Sequence, residues 1–259
     1  MLIEEIIKIV KDASKLMKVD FSVEEKGSSS NLVTSADKNV QEYLHRDLRK
    51  IVHEAKFFAE ENALKETFGK EDKIFIIDPI DGTANFVHKL GLSVISVALM
   101  IDNEIKIGVI YNPFTDECFY AEKGKGAYLN DKRIHVSSRE LKYSLLATSF
   151  SCYEKQYANI CFDVLNNLYP LISDMRRLGS CALELCYIAA GRLYLYYEYY
   201  LQIYDFAAGY LILKEAGGYI ETIGNLSFTS ANQLIAANRL DNFEMLKKQV
   251  IESNAKYQK

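Results

Sequence analysis

Residues 73–86 read Lys73-Ile74-Phe75-Ile76-Ile77-Asp78-Pro79-Ile80-Asp81-Gly82-Thr83-Ala84-Asn85-Phe86. The apolar, β-branched run 73–77 has the composition of a buried strand, which places Asp78 at a strand end. Pro79 fixes its own φ and removes an amide hydrogen, so the ladder is expected to stop there and the chain to turn. Both carboxylates then face one pocket. Hard divalent cations such as Mg²⁺ take oxygen ligands, usually one or two carboxylates completed by water and substrate phosphate. Gly82 lets a ligand approach the backbone, and amides that open a helix offer unpaired donors to an anion. The competing reading is an Asp-rich turn that caps a helix after a strand. Taken alone, the motif leaves the two evenly matched.

Working outward, Ile3, Ile6, Ile7, Val10, Ala13 and Met17 recur at helical spacing, broken by Glu4, Glu5, Lys8 and Lys11. That is an amphipathic helix packed on a core, not a signal peptide or membrane anchor. Residues 20–31 form a polar stretch that reads as a loop. A long helix follows, capped by Thr34 or Ser35, with Val40, Tyr43, Leu44, Leu48 and Ile51 on its buried face. After the strand at 73–78, β signals at 92–101, 106–111, 118–122 and 133–136 are separated by turn residues and suggest an antiparallel meander. From about residue 140 the pattern alternates. Strands near 144–149, 173–178, 193–198, 218–222 and 233–237 interleave with helices near 153–168, 180–190, 205–216 and from 240. The expected fold class is α/β (α+β), one domain over residues 1–259 with a front α+β half (about 1–140), a rear α/β half (about 141–259) and the site between them.

The 259 residues are 49% hydrophobic, enough for a large core. A net charge of −4 and pI near 5.7 argue against a basic nucleic-acid surface, so no nucleic-acid partner and no membrane are expected. An acidic protein that handles a phosphate needs a local correction, which metal ions supply. The five cysteines, Cys118, Cys152, Cys161, Cys181 and Cys186, are odd in number and lack CxxC spacing, as suits reduced thiols in a cytoplasmic protein.

A second cluster lies far along the chain: Glu198, then Tyr204-Asp205-Phe206-Ala207-Ala208-Gly209, leading to Gly217-Gly218. Asp205 stands where a helix would begin, so an N-cap is its plain structural role. Ala207, Ala208 and Gly209 are small enough for that helix to approach another element closely. The pair of motifs, DPIDGTANF at 78–86 and YDFAAGYLI at 204–212, resembles the signature pair of the inositol monophosphatase family. The likeness continues in Leu32–Asp37, Ala59-Glu60-Glu61, Gly124–Ala127 and Arg176–Ser180, with matching order from about residue 26 to 218. Two long matches in order are far more specific than either alone. The haloacid-dehalogenase phosphatases, which share some of these letters, need an acid two residues before Asp81, where Pro79 stands.

The resemblance implies a layered αβαβα sandwich of the inositol monophosphatase and fructose-1,6-bisphosphatase type. It also implies a Mg²⁺-dependent phosphoric monoester hydrolase working through a metal-activated water, with no phosphoenzyme, and with two or three Mg²⁺ ions as cofactor. Glu60 would ligate one ion with Asp78 and the Ile80 carbonyl, and Asp78, Asp81 and Asp205 would hold a second. Amides around Gly82 and Thr83 would cradle the phosphate, while Asp37 with Thr83 would orient the water. Glu198 would bind a hydroxyl of the alcohol, and Gly179, Ser180 and Cys181 would line the same pocket. Lys26 matches a mobile basic loop in the family; a solvated surface lysine is the other reading. Members are commonly homodimers, so a homodimer is expected.

The chain departs from the family at Tyr204 for Trp, Ala59 for Gly, Tyr194 for Asp and Gln202 where some members have His. These last changes surround the alcohol pocket. The tyrosine-rich stretch 194–200 reads as core and interface packing. The leading substrate is inositol monophosphate. The alternatives are fructose 1,6-bisphosphate or a broad set of sugar phosphates, and, from another class, a regulatory or scaffold role through a protein or RNA-machinery partner. A nucleotide 3'-phosphatase is disfavoured because Ala84-Asn85-Phe86 stands where that branch has Lys-Glu-Phe.

Overall fold

The computed structural model describes residues 1–28, 31–62, 69, 72–150, 155–223 and 232–257. Helix α1 (Leu2–Ala13) buries Ile3, Ile6, Val10 and Ala13 on one face, as its spacing predicts. The polar stretch expected as a loop is instead a hairpin, β1 (Val23–Ser28) with β2 (Asn31–Thr34), pairing antiparallel with Glu24 opposite Val33. Val23, Glu24 and Glu25 are exposed, so β1 carries no apolar alternation and periodicity gave no strand signal. Lys38 helps hold it through an ion pair of 2.8 Å to Glu24.

Helix α2 (Ser35–Ile51) starts from Thr34, whose hydroxyl accepts from the amides of Ala36 and Asp37 while Asp37 reaches back to the Thr34 amide. This reciprocal box satisfies amide donors that the first turn leaves open. Val40, Leu44 and Leu48 are buried; Tyr43 and Ile51 are half-buried.

Next come β3 (Lys56–Ala59), β4 (Lys73–Asp81), the short helix α3 (Thr83–Val87), β5 (Val94–Ile101), β6 (Glu104–Asn112), β7 (Glu117–Glu122), β8 (Ala127–Leu129) and β9 (Lys132–Ile134). They form a seven-stranded sheet in chain order, parallel between β3 and β4 and an antiparallel meander thereafter. The ladder does not stop at Pro79. Asp78 faces Ser96 and Asp81 faces Val94, so three steps on β4 match two on β5 and the strand crosses the proline by a bulge. A bulge leaves one residue out of the ladder, which is how a sheet tolerates a missing amide hydrogen.

The rest of the chain supplies β10 (Leu145–Ser149), α4 (Ala158–Leu168), β11 (Asp174–Arg176), α5 (Cys181–Ala189), β12 (Leu195–Leu201), α6 (Ile203–Glu215), β13 (Tyr219–Ile223), β14 (Asn232–Ala237) and α7 (Leu240–Tyr257). The second sheet has the order β11-β10-β12-β14-β13, with β10 parallel to both neighbours. Residues 153–154 of the helix expected at 153–168, together with Cys152, lie outside the described residues. The four described cysteines are free and buried.

Five layers result. On β4, Phe75 and Ile77 pack with α1 and α2, whereas Ile74 and Ile76 pack with α5 and α6 between the sheets. Period-two alternation between two buried faces is what makes the run 74–77 apolar throughout. The outer face of the second sheet, with Leu195, Tyr197 and Ile235, is covered by α4 and α7. Helix α6 is wedged tightly: a Cβ on Gly108 of β6 would lie 2.7 Å from the Ala208 carbonyl oxygen, and one on Gly209 would lie 2.8 Å from Leu185 of α5. The small residues at 207–209 therefore give the close approach their sequence suggests. Among the described residues, no helix is long and apolar enough to cross a membrane.

Candidate active site

The bulge in β4 turns both of its carboxylates into one cavity of about 160 Å³ between the sheets. Glu60, Asp78, Ile80, Asp81, Gly82, Thr83, Gly179, Cys181, Glu198 and Asp205 all line it. Residues up to 145 positions apart in sequence, Glu60 and Asp205, are thus brought to one surface. Asp78 accepts from the Ile80 amide at 3.1 Å. Asp81 uses one oxygen on the start of α5, accepting from the Ser180 hydroxyl and the Ala182 amide, both at 2.7 Å. Its other oxygen keeps acceptor capacity, since an ionised carboxylate has about four lone-pair sites. Asp205 is not an N-cap: it is the third residue of α6, and it reaches back to accept from the Gln202 amide at 2.6 Å.

Two expected site residues, Asp37 and Ser180, do not line the cavity, and Thr83, which does, divides its hydroxyl between two acceptors. Asp37 is fully buried behind the cavity, held by the amide and hydroxyl of Thr34 at 2.7 and 2.6 Å. The Thr83 hydroxyl is 3.4 Å from Asp37 and 3.1 Å from the Ile80 carbonyl. One hydroxyl proton serves one acceptor at a time, and the longer contact is weak. Ser180 does not reach the cavity surface: it is buried, with its hydroxyl committed to Asp81.

Gly82 takes φ = 86°, and a Cβ there would lie 3.1 Å from both the Gly179 and Leu92 carbonyl oxygens. Only glycine fits that turn without strain. Asn85 closes it from below, donating from Nδ2 to the carbonyls of Leu178, Leu92 and Gly179 at 2.7, 3.0 and 3.2 Å. Sequence reasoning quoted Asn85 in its motif but gave it no task. From the other side Glu184, fully buried, accepts from the Leu178 amide at 2.9 Å, and its second oxygen has no partner among the described residues. Burial, then the charge of Glu198, pushes that carboxyl well above the usual range and so disfavours its charged form. Ser149, Phe150 and Tyr200 also line the cavity and carried no motif, whereas Arg177 stood in the Arg176–Ser180 likeness without an assigned role.

The acids oppose one another's ionisation. Burial, then the charges of Glu60, Asp81 and Asp205, raise Asp78 well above the carboxylate range. Burial pushes Asp81 up to about 6 against the bonds from Ser180 and the α5 amides, and raises Asp205 strongly. Glu60 rises to about 7 by burial despite Lys26. Glu198 also rises to about 7 by burial, although the Tyr196 hydroxyl donates to it. Lys26 of the hairpin is 3.1 Å from Glu60 and 2.6 Å from Glu61. Around it, carboxylate oxygens of Asp37, Glu60 and Glu61 lie within 4.8 Å of one another. Closely set, desolvated hard oxygen donors with so little positive charge beside them fit divalent cations of the Mg²⁺ kind.

Two packed sheets with helices between and outside them, and an acid-lined cavity where the layers meet, define the class. A sequence model of the inositol monophosphatase family matches residues 2–258, and the chain belongs to that family. It is 38% identical over 213 residues to the Nus factor SuhB of Pasteurella multocida, covering 81% of this chain and 79% of that one. The structure resembles the extragenic suppressor protein suhB of Bartonella henselae with a TM-score of 0.87 at 33% identity, over 96% and 98% of the two chains. It resembles the Thermotoga maritima IMPase with a TM-score of 0.84 at 32% identity, over 96% of each.

Proposed function

We propose that this protein is a Mg²⁺-dependent phosphatase that hydrolyses the phosphate monoester of a small hydroxylated alcohol, with inositol monophosphate as the first candidate. The observation that supports this best is the convergence of Glu60, Asp78, Asp81 and Asp205, with the Ile80 carbonyl, on one cavity. Those groups would hold the ions. Bound there, the cations would lower the pKa of coordinated water and stabilise the departing alkoxide.

The chain's own residues do the rest. Amides in the first turn of α3, at Thr83 and Ala84, have no partner within the helix and can donate to phosphate oxygens. The Thr83 hydroxyl, 3.1 Å from the Ile80 carbonyl and 3.4 Å from the Asp37 carboxylate that Thr34 anchors, would present a lone pair to orient the attacking water. Glu198, at the far end of the cavity, accepts a hydroxyl of the alcohol. Fructose 1,6-bisphosphate and other sugar phosphates are the nearest alternative substrates.

The test is phosphate release across inositol 1-phosphate, fructose 1,6-bisphosphate and 3'-phosphoadenosine 5'-phosphate, first with Mg²⁺ and then with a chelator. No release with Mg²⁺ from any of them would refute a phosphatase of this specificity. A wide preference for the nucleotide would refute the alcohol class. A second reading, a regulatory or scaffold role through a protein or RNA-machinery partner, is kept because relatives carry the name Nus factor SuhB. Under that reading an Asp81→Asn protein, impaired in turnover, still supports the cellular phenotype and captures the same partners.

A further inference from the structure

Tyr200 is the one residue of the cavity wall, glycine aside, whose backbone is left-handed among the described residues, with φ = 72°. It is also the extra residue of a bulge: Tyr199 faces Gln233 and Leu201 faces Asn232 across β12 and β14, and Tyr200 pairs with neither. Glycine takes this bulge position freely, whereas a side chain as large as tyrosine disfavours it. Bulges beside sites serve to re-aim side chains, and an outlier of this kind points to a function.

Two residues from Glu198, Tyr200 lines the cavity together with Phe150 and Leu201. The aromatic side chains are backed from behind. The Tyr200 ring stacks with Tyr157 at 6.1 Å and 24°, Tyr157 stacks with Tyr199 at 4.3 Å and 22°, and Phe150 packs on Phe162 at 4.8 Å. The exposed Arg177 borders the same wall. These ring contacts brace the wall from the side away from the cavity. A polyol can turn its hydroxyls to the Glu198 side of the cavity, while a flat apolar ring would find matching faces on Leu201 and the two aromatic side chains.

Building on the phosphatase reading, we infer that the cavity also takes phosphate monoesters whose alcohol carries an aromatic ring, and that Tyr200 selects for the ring. The reaction is unchanged: water oxygen bonds to phosphorus, the bond from phosphorus to the alcohol oxygen breaks, the water gives up a proton and the leaving oxygen gains one.

The test compares kcat/KM for 2-phenylethyl phosphate and ethyl phosphate in the Mg²⁺-loaded protein; the two leaving alcohols differ little apart from the ring. A preference of about tenfold for the phenyl substrate is expected, within what aromatic stacking supplies. Tyr200→Gly, which suits the left-handed position, should bring the ratio close to one, and Tyr200→Phe should keep it. Equal rates in the native protein, or an undiminished ratio in Tyr200→Gly, would overturn the inference. If no phosphate is released from any substrate, the phosphatase reading fails by itself. Calorimetric titration of 2-phenylethylphosphonate against ethylphosphonate then decides the ring contact by the same two ratios.

Discussion

Replacing Gly108 by alanine tests whether α6 is wedged against the front sheet as tightly as the coordinates place it. The added Cβ would stand 2.7 Å from the Ala208 carbonyl oxygen and 3.1 Å from its Cα, where ordinary contact begins at 3.4 Å. The helix must therefore retreat by about 0.7 Å, the difference between 3.4 and 2.7, because the obstructing atoms are backbone. Overpacking of this kind costs about 1–3 kcal/mol. Relief of glycine's unfolded-state entropy returns about 0.5–1 kcal/mol, leaving a net loss of about 1 kcal/mol at the middle of those ranges. In a chain of this size that lowers Tm by about 2–5 °C.

A second consequence follows from the same shift. Asp205 lies less than one turn from Ala208 on α6, so it moves with the helix, and constellations of this sort tolerate only about 0.5 Å. At about a hundred times its Kd, Mg²⁺ at the proposed site would stabilise the native protein by about 2.7 kcal/mol. A tenfold weaker site loses about 1.4 kcal/mol of that gain. Urea denaturation with and without Mg²⁺ measures both effects. An unchanged midpoint together with an unchanged Mg²⁺ increment would refute the wedge.

Asp78→Asn should abolish Mg²⁺-dependent phosphate release and the Mg²⁺ stability increment, yet raise the Tm of the metal-free protein by relieving repulsion among the acids; a drop in metal-free Tm would contradict that electrostatic account. Glu60 and Glu198 are raised to about 7 and Asp81 to about 6 in the fold, above their unfolded values, so the unfolded chain sheds those protons first. The contribution of these three acids to metal-free stability should consequently be fully present below about pH 4 and be lost as pH climbs through 6–7, a dependence that Asp81→Asn and Glu198→Gln would flatten. Mg²⁺ affinity, which needs the ionised forms, should strengthen over the same window when titrated calorimetrically. Asn85→Ala removes the shared donor from three carbonyls and should cost about 1–3 kcal/mol while raising KM more than it lowers kcat; a pure kcat effect would argue against a loop-positioning role. Glu184→Gln, which mimics a neutral acid, should leave stability within about 1 kcal/mol of native, whereas Glu184→Ala should lose about 2–4 kcal/mol by thermal denaturation.

The layer order was legible where a chemical pattern repeats. The run 74–77 is apolar throughout because it feeds two cores, and the meander and the later alternation announced themselves by turn residues and period. The hairpin at 23–34 was not legible, since β1 is polar and exposed and β2, with Val33 buried, is too short to show an alternation. At Pro79 the local rule was right about the missing donor and wrong about its result, because a bulge satisfied the neighbours. The carboxylates were found through two motifs. The Asn85 clamp, by contrast, links Leu178 and Gly179, 93 and 94 residues away, and a donor's distant acceptors have no local signature. Tyr200 was read as packing because composition reveals rings and not backbone handedness.

Asp81 belongs to a strand of one sheet while one of its oxygens fastens the first turn of a helix that packs beneath the other. A cation drawn to that carboxylate and the grip on α5 are therefore partners in a single equilibrium, and the coupling must be reciprocal. Loosening the seam, by a cut chain or a tugging neighbour on α5, would shed the ion; loading the ion would tighten the seam by the same factor. The floor of the cavity is in this sense a rivet, and its occupancy can be read from outside the protein as resistance to prying.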